Sequence, residues 1–171
     1  MGETRQAAVR REEILDKAAE LFRAKGFLHT TTGDLIGALG ISRGLLYYHF
    51  RDMEDVADHL IERWVGDTIP RLESLPFDRE RSASEKLEEL LGVLEGVPRG
   101  EDPWLLDRLR RQLTPVVRKV LLPILREGEY DGRFHVEDDT ATADFLSVAL
   151  LYGETVGQPG CRALVKKILG Y

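Results

Sequence analysis

Residues 31–50 read TTGDLIGALGISRGLLYYHF, and this stretch predicts two short helices joined by a tight turn. Thr31 and Asp34 have the spacing of a capping box, in which two side chains accept hydrogen bonds from each other's backbone N–H at a helix start. Gly40 stands where a helix commonly ends in a left-handed residue. Ser42 is a favourable N-cap, so a second helix is expected to begin directly after it.

The second helix of this stretch has one apolar face and one unusual face. At 3.6 residues per turn, Leu46 and Phe50 share a side that must point into the protein. The other side carries Gly44, Leu45, Tyr47 and Tyr48, and it is flanked by Arg43 and His49. Two tyrosines and a leucine are poor choices for contact with water alone, so we expect a contact surface with anion donors at its edges. This is the layout of a helix-turn-helix whose second helix enters the major groove of DNA.

The stretch, with LDKAAELFRAKGF before it and RDMEDV after it, resembles the DNA-binding signature of the TetR (tetracycline-repressor-like) family. The resemblance covers about Arg11 to Val56. Beyond them it is weaker, although LREGEYDGRF is similar to a segment often found in the family's ligand-binding domain. The resemblance implies an all-α protein, with a three-helix DNA-binding domain in residues 1–51 and a helical-bundle domain for ligand binding and dimerisation in residues 52–171.

The resemblance also implies roles in DNA binding for single residues. Arg43 and Leu45 fall where family members touch base edges, although Arg43 could equally contact only phosphate. Thr31 is expected both to cap its helix and to donate to phosphate, whereas His49 either donates to phosphate or supports packing. The expected DNA-binding residues are Thr31, Ser42, Arg43, Gly44, Leu45, Tyr47, Tyr48, His49 and Arg51.

Charge is distributed unevenly along the chain, whose net charge is −6. Residues 1–51 carry eight basic and six acidic side chains, a net charge of +2, and the remainder carries −8. Met53 replaces a frequent lysine of the family, and Arg51 is close enough to compensate as a phosphate donor. Because so small an excess predicts few phosphate contacts per subunit, useful affinity would need two subunits on one site.

Composition limits the classes to which the protein can belong. Hydrophobic residues make up 43% and charged residues 32% of the 171 residues, which can fill a core beneath a charged surface. No run of about 18 apolar residues predicts a membrane span, and the N-terminus lacks an apolar signal region. Cys161 is the single cysteine, so no intrachain disulfide can form. We therefore expect a cytoplasmic protein.

Apolar periodicity and capping residues predict further helices. They are expected at about Ala7–Lys25, Met53–Ile69, Ala83–Glu95, Pro103 onwards, Asp139–Tyr152 and Cys161–Leu169. At Thr114-Pro115 the chain either kinks or starts a new helix, and we prefer a new helix. GEYDGRFHVEDD is expected to be a turn region, and Gln158-Pro159-Gly160 is the expected break before the last helix.

The helical domain is expected to bind a small-molecule effector and a second subunit. Six aromatic or polar residues could line a ligand pocket, or could instead be core residues: His59, Trp64, Trp104, Arg108, Gln112 and Tyr152. The helix Asp139–Tyr152 is apolar on more than one side, so it lies deep in the domain or faces a second subunit. The expected homodimer face comprises Phe145, Ala149, Tyr152, Leu164 and Ile168.

These patterns favour a DNA-binding transcriptional regulator, most simply a ligand-responsive repressor that binds a palindromic operator in double-stranded DNA as a homodimer. The rival interpretation is a helical protein-interaction module without sequence-specific DNA binding, whose tyrosine face docks on a protein. An enzyme is not favoured, because the four histidines show no metal-ligand spacing and no nucleophile elbow, phosphate loop or dinucleotide fingerprint occurs. We expect no cofactor and no metal.

Overall fold

A computed structural model describes residues 2–153 and 159–171, and within them the chain is all-α, as predicted. The helices are α1 Gly2–Lys25, α2 Thr32–Leu39, α3 Arg43–His49, α4 Met53–Val65, α5 Thr68–Ser74, α6 Ala83–Glu95, α7 Pro103–Tyr130, α8 Asp139–Tyr152 and α9 Pro159–Ile168. Short 3₁₀ turns occupy Phe27–His29 and Leu75–Phe77. None of the helices described has the length and apolar character needed to cross a membrane. Of the predicted break, Gln158 lies outside the described residues, and the break predicted at Pro159-Gly160 is wrong, because α9 begins at Pro159.

The chain divides into two compact units. The first contains the residues up to Trp64 together with Pro98–Arg108, and the second contains Val65–Val97 and Leu109–Tyr171. The first unit, which we call the head, therefore includes α1–α3, nearly all of α4 and the beginning of α7. The boundary expected between residues 51 and 52 separates the DNA-binding domain from the domain for ligand binding and dimerisation. This boundary stays a prediction.

The head is built on buried side chains from each of its helices. They include Ile14, Leu15, Ala18 and Phe22 of α1, Leu35 of α2, Leu46 of α3, Val56, Leu60 and Ile61 of α4, and Leu105 of α7. On the surface, Arg63 of α4 donates to Asp16 of α1 (2.8 Å) and to Glu12 of the same helix (3.1 Å). Apolar burial is the main stabilising contribution here, because exposed ion pairs contribute little.

In the second unit, α6 and α7 are joined by a charged pair at the edge of an apolar core. The Lys86 ammonium is almost completely buried and donates to Glu127 Oε2 at 2.6 Å. One residue later, Gly128 leaves room for the ring of Phe134, since a Cβ at this position would lie 2.0 Å from the ring. The Gly128 carbonyl accepts from the backbone N–H groups of Arg133 and Phe134, which turns the chain after α7.

Helix α7 is continuous through Thr114-Pro115, so the preferred prediction of a new helix at this point is wrong. A proline inside a helix loses one backbone hydrogen bond and costs about 3 kcal/mol. The two prolines inside α7, Pro115 and Pro123, are exposed. The buried face runs without interruption through the helix, along Leu113, Val117, Val120, Leu121, Ile124 and Leu125. Burial of this face offsets the cost of the two prolines.

Other helix boundaries also differ from the prediction. Helix α1 begins at Gly2 rather than at about Ala7, and α9 spans Pro159–Ile168 rather than about Cys161–Leu169. The helix expected to run from Met53 towards Ile69 ends at Val65, and α5 begins at Thr68 after Gly66 and Asp67. Helix α7 extends to Tyr130, so the first three residues of the expected turn region, beginning with Gly128, are helical.

Candidate nucleic-acid interface

The start of α2 has the capping box that the sequence predicts. The Thr31 hydroxyl accepts from the Asp34 N–H (3.2 Å), and Asp34 Oδ2 accepts from the Thr31 N–H (2.7 Å). Lys25 lies 2.7 Å from the same carboxylate. Hydrogen bonds from Lys25 and Thr31 hold the pKa of Asp34 well below its usual range. The Thr31 hydroxyl also donates to Asp34 Oδ2 (2.6 Å). To donate to a phosphate, the hydroxyl must therefore break its hydrogen bond to Asp34.

The turn between α2 and α3 is also as predicted. Gly40 has φ 62° and ψ 30°, in the left-handed region, and its N–H donates to the Ile36 carbonyl. The Ser42 hydroxyl accepts from the Leu45 N–H (3.2 Å) and so caps α3. These local bonds set the direction in which α3 leaves the turn.

Helix α3 turns two tyrosines outward. Leu46 and Phe50 are 2% exposed, whereas Tyr47 is 43% and Tyr48 is 75% exposed. Leu45, expected to point outward, is half-buried. The exposed face, with Tyr47 and Tyr48, is too apolar for water alone and fits a contact surface.

Gly44 and His49 lie at opposite ends of α3. Gly44 is exposed, and a Cβ there would meet only Ser42 Oγ at 4.0 Å, so the helix backbone is accessible at this position. His49 is half-buried and its ring stands edge-on to Tyr48 at 4.9 Å. Burial, and then the charges of Arg11 and Arg10, lower the pKa of His49. Its imidazole is therefore held toward the neutral form, which has one N–H to donate.

Arg51 joins the end of α3 to α4. Its backbone N–H donates to Asp55 Oδ2 (2.8 Å) and its Nη2 donates to Oδ1 of the same carboxylate (3.0 Å). Burial of Asp55 pushes its pKa upward, but the hydrogen bonds and charge of Arg51 outweigh burial and lower it. Asp52 caps α4 by accepting from the Asp55 N–H (2.7 Å). Because the Arg51 guanidinium remains largely exposed, it can face an anion while it holds Asp55.

The head also contains a group of contacts that the sequence did not reveal. Asp102 Oδ2 accepts from the Phe27 N–H (3.2 Å), and Oδ1 of the same carboxylate caps α7 by accepting from the Trp104 N–H (3.0 Å). The Trp104 indole stacks on the Phe27 ring. Glu101 accepts two bonds from Arg23 at 3.2 and 3.0 Å. The beginning of α7 is thus attached to the end of α1 and to the turn that follows it.

The six candidate ligand residues lie in different surroundings. Trp104 and Arg108 adjoin each other, with the guanidinium 5.2 Å from the ring, and Arg108 also donates to Asp58 at 2.6 and 3.0 Å. His59 is half-buried, with Nδ1 2.7 Å from the Asp55 carbonyl oxygen. Trp64 is half-buried, and Gln112 is exposed.

Tyr152, the sixth candidate, lies in the second unit beneath the Arg110 guanidinium (5.3 Å). It borders a groove of about 440 Å³ whose other lining residues are Arg111, Thr114, Pro115 and Val148. Within residues 2–153 and 159–171, no group of His, Cys, Asp and Glu side chains could hold a metal ion.

The candidate dimer residues form two exposed apolar stretches in the second unit. On α8, Phe145 is 62% and Tyr152 is 40% exposed, while Ala149 is half-buried. Val148, which the sequence analysis did not single out, extends the same face. On α9, Leu164 is 55% exposed and Ile168 is half-buried.

Known proteins resemble this chain in both sequence and fold. The sequence profile of the bacterial regulatory proteins of the tetR family matches residues 14–60. The HTH-type transcriptional repressor KstR2 of Mycolicibacterium smegmatis is 28% identical over 148 residues, which cover 78% of this chain and 72% of that protein. KstR2 of Rhodococcus jostii is 41% identical over 58 residues, which cover 34% of this chain and 28% of that protein.

Among solved structures, a transcriptional regulator of the TetR/AcrR family from Thermobifida fusca has a TM-score of 0.64 over 94% of each chain, with 22% identity. The likeness shows that the two chains share a fold. The two relatives compared by sequence are regulators of transcription, not enzymes. With its capped helix-turn-helix and the sequence match that covers it, the chain carries, in residues 14–60, the DNA-binding segment of the tetR family of bacterial regulatory proteins.

Proposed function

We propose that the chain is a repressor that binds a palindromic operator as a homodimer and leaves it when a small-molecule effector binds. The observation that carries the proposal is the exposed face of α3, where Tyr47 and Tyr48 point away from the buried Leu46 and Phe50. A short, capped helix with this face fits the major groove, and hydroxyl groups on its surface suit phosphate oxygens.

The small positive charge of residues 1–51 supports binding by two copies. A net charge of +2 gives each subunit few phosphate contacts, and the affinity of such contacts falls with added salt. Two heads on one DNA duplex would make twice as many phosphate contacts. A two-fold symmetric dimer would place its recognition helices about one helical turn apart, roughly 34–36 Å, or a multiple of that distance.

The exposed apolar residues of α8 support a dimer face in the second unit. Phe145, Val148 and Tyr152 recur at spacings of three and four residues, so they follow one side of the helix. An exposed apolar surface of this kind in a soluble protein usually has a partner. The proposed partner is the same face of a second copy, with Leu164 of α9 extending it, because a symmetric operator requires an isologous interface.

The effector is assigned in this proposal to the second unit. The groove beside Tyr152, about 440 Å³, is within the range of roughly 300–1,000 Å³ that is usual for small-molecule sites. Trp104 and Arg108 are less suitable, because they already have partners in the head. An effector that prefers the conformer in which the two heads are wrongly spaced would weaken DNA binding in proportion to that preference.

Selection of bound sequences from a random duplex pool, with the purified protein, tests the proposal. Recovery of a palindrome is the expected result, and it would supply the operator for an effector screen. A protein that recovers no motif, even after it has been unfolded and refolded to strip any bound ligand, would overturn the proposal. The rival, a protein-interaction module, predicts no duplex binding that weakens with salt.

A further inference from the structure

Arg43 has different surroundings from the other arginines of the head. Most arginines there lie against carboxylates, with the pairs Arg10–Glu13, Arg23–Glu101, Arg51–Asp55, Arg63–Asp16 and Arg108–Asp58. In the part of the chain that the structure describes, Arg43 has no ion pair. Its guanidinium instead lies over the Tyr47 ring, 5.5 Å from the centroid. The guanidinium is thereby oriented, while no carboxylate neutralises its charge.

Tyr47 is itself placed by both helices of the helix-turn-helix. It follows Arg43 by one turn of α3, and its other polar neighbour is Thr32, the first residue of α2. Interactions with Arg43, and then with Thr32, lower the pKa of the Tyr47 hydroxyl. The 43% exposure of Tyr47, against 75% for Tyr48, agrees with these contacts.

An oriented arginine has an advantage in reading a base. A free arginine side chain loses rotational entropy when it is fixed, and this cost reduces affinity for every sequence. A guanidinium that already lies over a ring has lost part of that freedom. Two N–H groups of the guanidinium can then donate to the O6 and N7 atoms of guanine with a smaller further loss of side-chain entropy.

We propose that Tyr47 is a positioning residue for Arg43, and that its ring and hydroxyl hold the guanidinium for bidentate contact with a guanine. This inference rests on the proposed function and goes beyond it, because it gives Tyr47 a part in specificity. Loss of Tyr47 should relax sequence preference at one base pair of each half-site. A tyrosine that only donates to phosphate would instead weaken binding to all sequences alike.

The test uses the full chain and the operator recovered by selection. Equilibrium binding is measured on the operator and on every single-base variant of its half-site, at one fixed salt concentration. The proteins compared are the wild type, Arg43→Ala, Tyr47→Phe, Tyr47→Leu and the Arg43→Ala/Tyr47→Leu double variant. Tyr48→Phe is the matched control, because Tyr48 is the adjacent exposed tyrosine and its recorded ring contact is with His49 rather than with an arginine.

Arg43→Ala should reduce discrimination at one G·C pair by roughly tenfold or more. Tyr47→Leu should reduce discrimination at the same pair by a similar factor, and the double variant should lose little more than either single variant. Tyr47→Phe keeps the ring and should lie between the wild type and Tyr47→Leu. Tyr48→Phe should leave the preference at that pair unchanged.

Two results would overturn the inference. One is a uniform loss of affinity in Tyr47→Leu with base preference intact, which would make Tyr47 a phosphate contact only. The other is an Arg43→Ala variant that keeps the wild-type preference at every position. A wild-type protein that selects no motif would overturn the proposed function, and this inference with it. A wild-type protein that selects a motif, with either of the two results above, would overturn this inference alone. Thermal unfolding of each variant shows whether a loss of binding reflects a loss of folding.

Discussion

The ring of Phe27 lies flat against the indole of Trp104, with ring centroids 3.8 Å apart and planes 9° from parallel. These residues are distant in sequence, and the Phe27 side chain is buried. A stacked aromatic pair contributes about 0.5–1.5 kcal/mol beyond its buried area. The contact therefore makes Trp104 a structural residue of the head.

Trp104→Ala should destabilise the head by about 2 kcal/mol or more, because it removes the stacking contact and leaves a cavity beside Phe27. The midpoint of urea unfolding, followed by far-ultraviolet circular dichroism, measures the change. Trp104→Phe is the matched control and should retain most of the stability, since it keeps a ring over Phe27. An unchanged midpoint in Trp104→Ala would return this residue to the candidate ligand set.

Gly40 and Gly37 should respond in opposite directions to substitution by alanine. A Cβ at either residue meets nothing within 4 Å, so the backbone alone decides the outcome. Gly40→Ala should cost about 1–2 kcal/mol, because Gly40 has a φ of 62°. Gly37→Ala, inside α2, should stabilise by about 0.5–1 kcal/mol. Chemical denaturation of both variants checks this, and a Gly40→Ala protein as stable as the wild type would contradict the left-handed turn.

Asp34 should make the head sensitive to acid. Its pKa is lowered in the folded protein, mainly by Lys25 and then by Thr31, so folding favours the charged form. The resulting stabilisation is fully present above the unfolded pKa of about 3.9 and is lost as the pH falls from there toward the folded pKa. The difference in unfolding free energy between the wild type and Asp34→Asn should therefore be largest near pH 7 and shrink below pH 4.

Urea unfolding at pH 7, 5, 4 and 3 measures this difference. Asp131→Asn, at an exposed residue after α7, provides the comparison, because the Asp131 carboxylate has no hydrogen-bonded partner within residues 2–153 and 159–171. If the difference in unfolding free energy between the wild type and Asp34→Asn stays constant at all four pH values, the Asp34 carboxylate contributes no proton-linked stability.

Phe145→Glu should convert the proposed dimer into monomers. The change places a negative charge on the exposed face of α8, where burial against a second copy would desolvate it. Sedimentation velocity over a range of concentrations gives the oligomeric state. Tyr130→Glu is the control, because Tyr130 is a more exposed aromatic residue, at 92%, outside that face. A Phe145→Glu protein that sediments as the wild-type dimer would refute the interface.

The sequence predicted those parts of the fold that depend on neighbouring residues. The capping box of Thr31 with Asp34 was visible as a short spacing and is confirmed. The bounds of α6 and α8 were predicted for the same reason. The left-handed Gly40 was predictable because few other residues tolerate that backbone conformation.

Contacts between distant residues could not be predicted in this way. Trp104 and Arg108 were grouped as ligand candidates because they are large or charged residues on a predicted helix. Their partners, Phe27 and Asp58, are far from them in sequence, and periodicity within one helix gives no information about such pairs. Pro115 shows the same limit, since the buried face that keeps α7 continuous extends over many residues on both sides of it.

The Asp102 carboxylate both caps α7 and accepts a hydrogen bond from the Phe27 N–H. The DNA-binding part of the chain is not a contiguous segment that can be excised at Trp64. A fragment of that length would lack Glu101, Asp102 and Trp104, and would leave the Phe27 ring and the Arg23 guanidinium without them. A chimeric regulator that transplants this head onto another body must therefore also transplant residues 98–108.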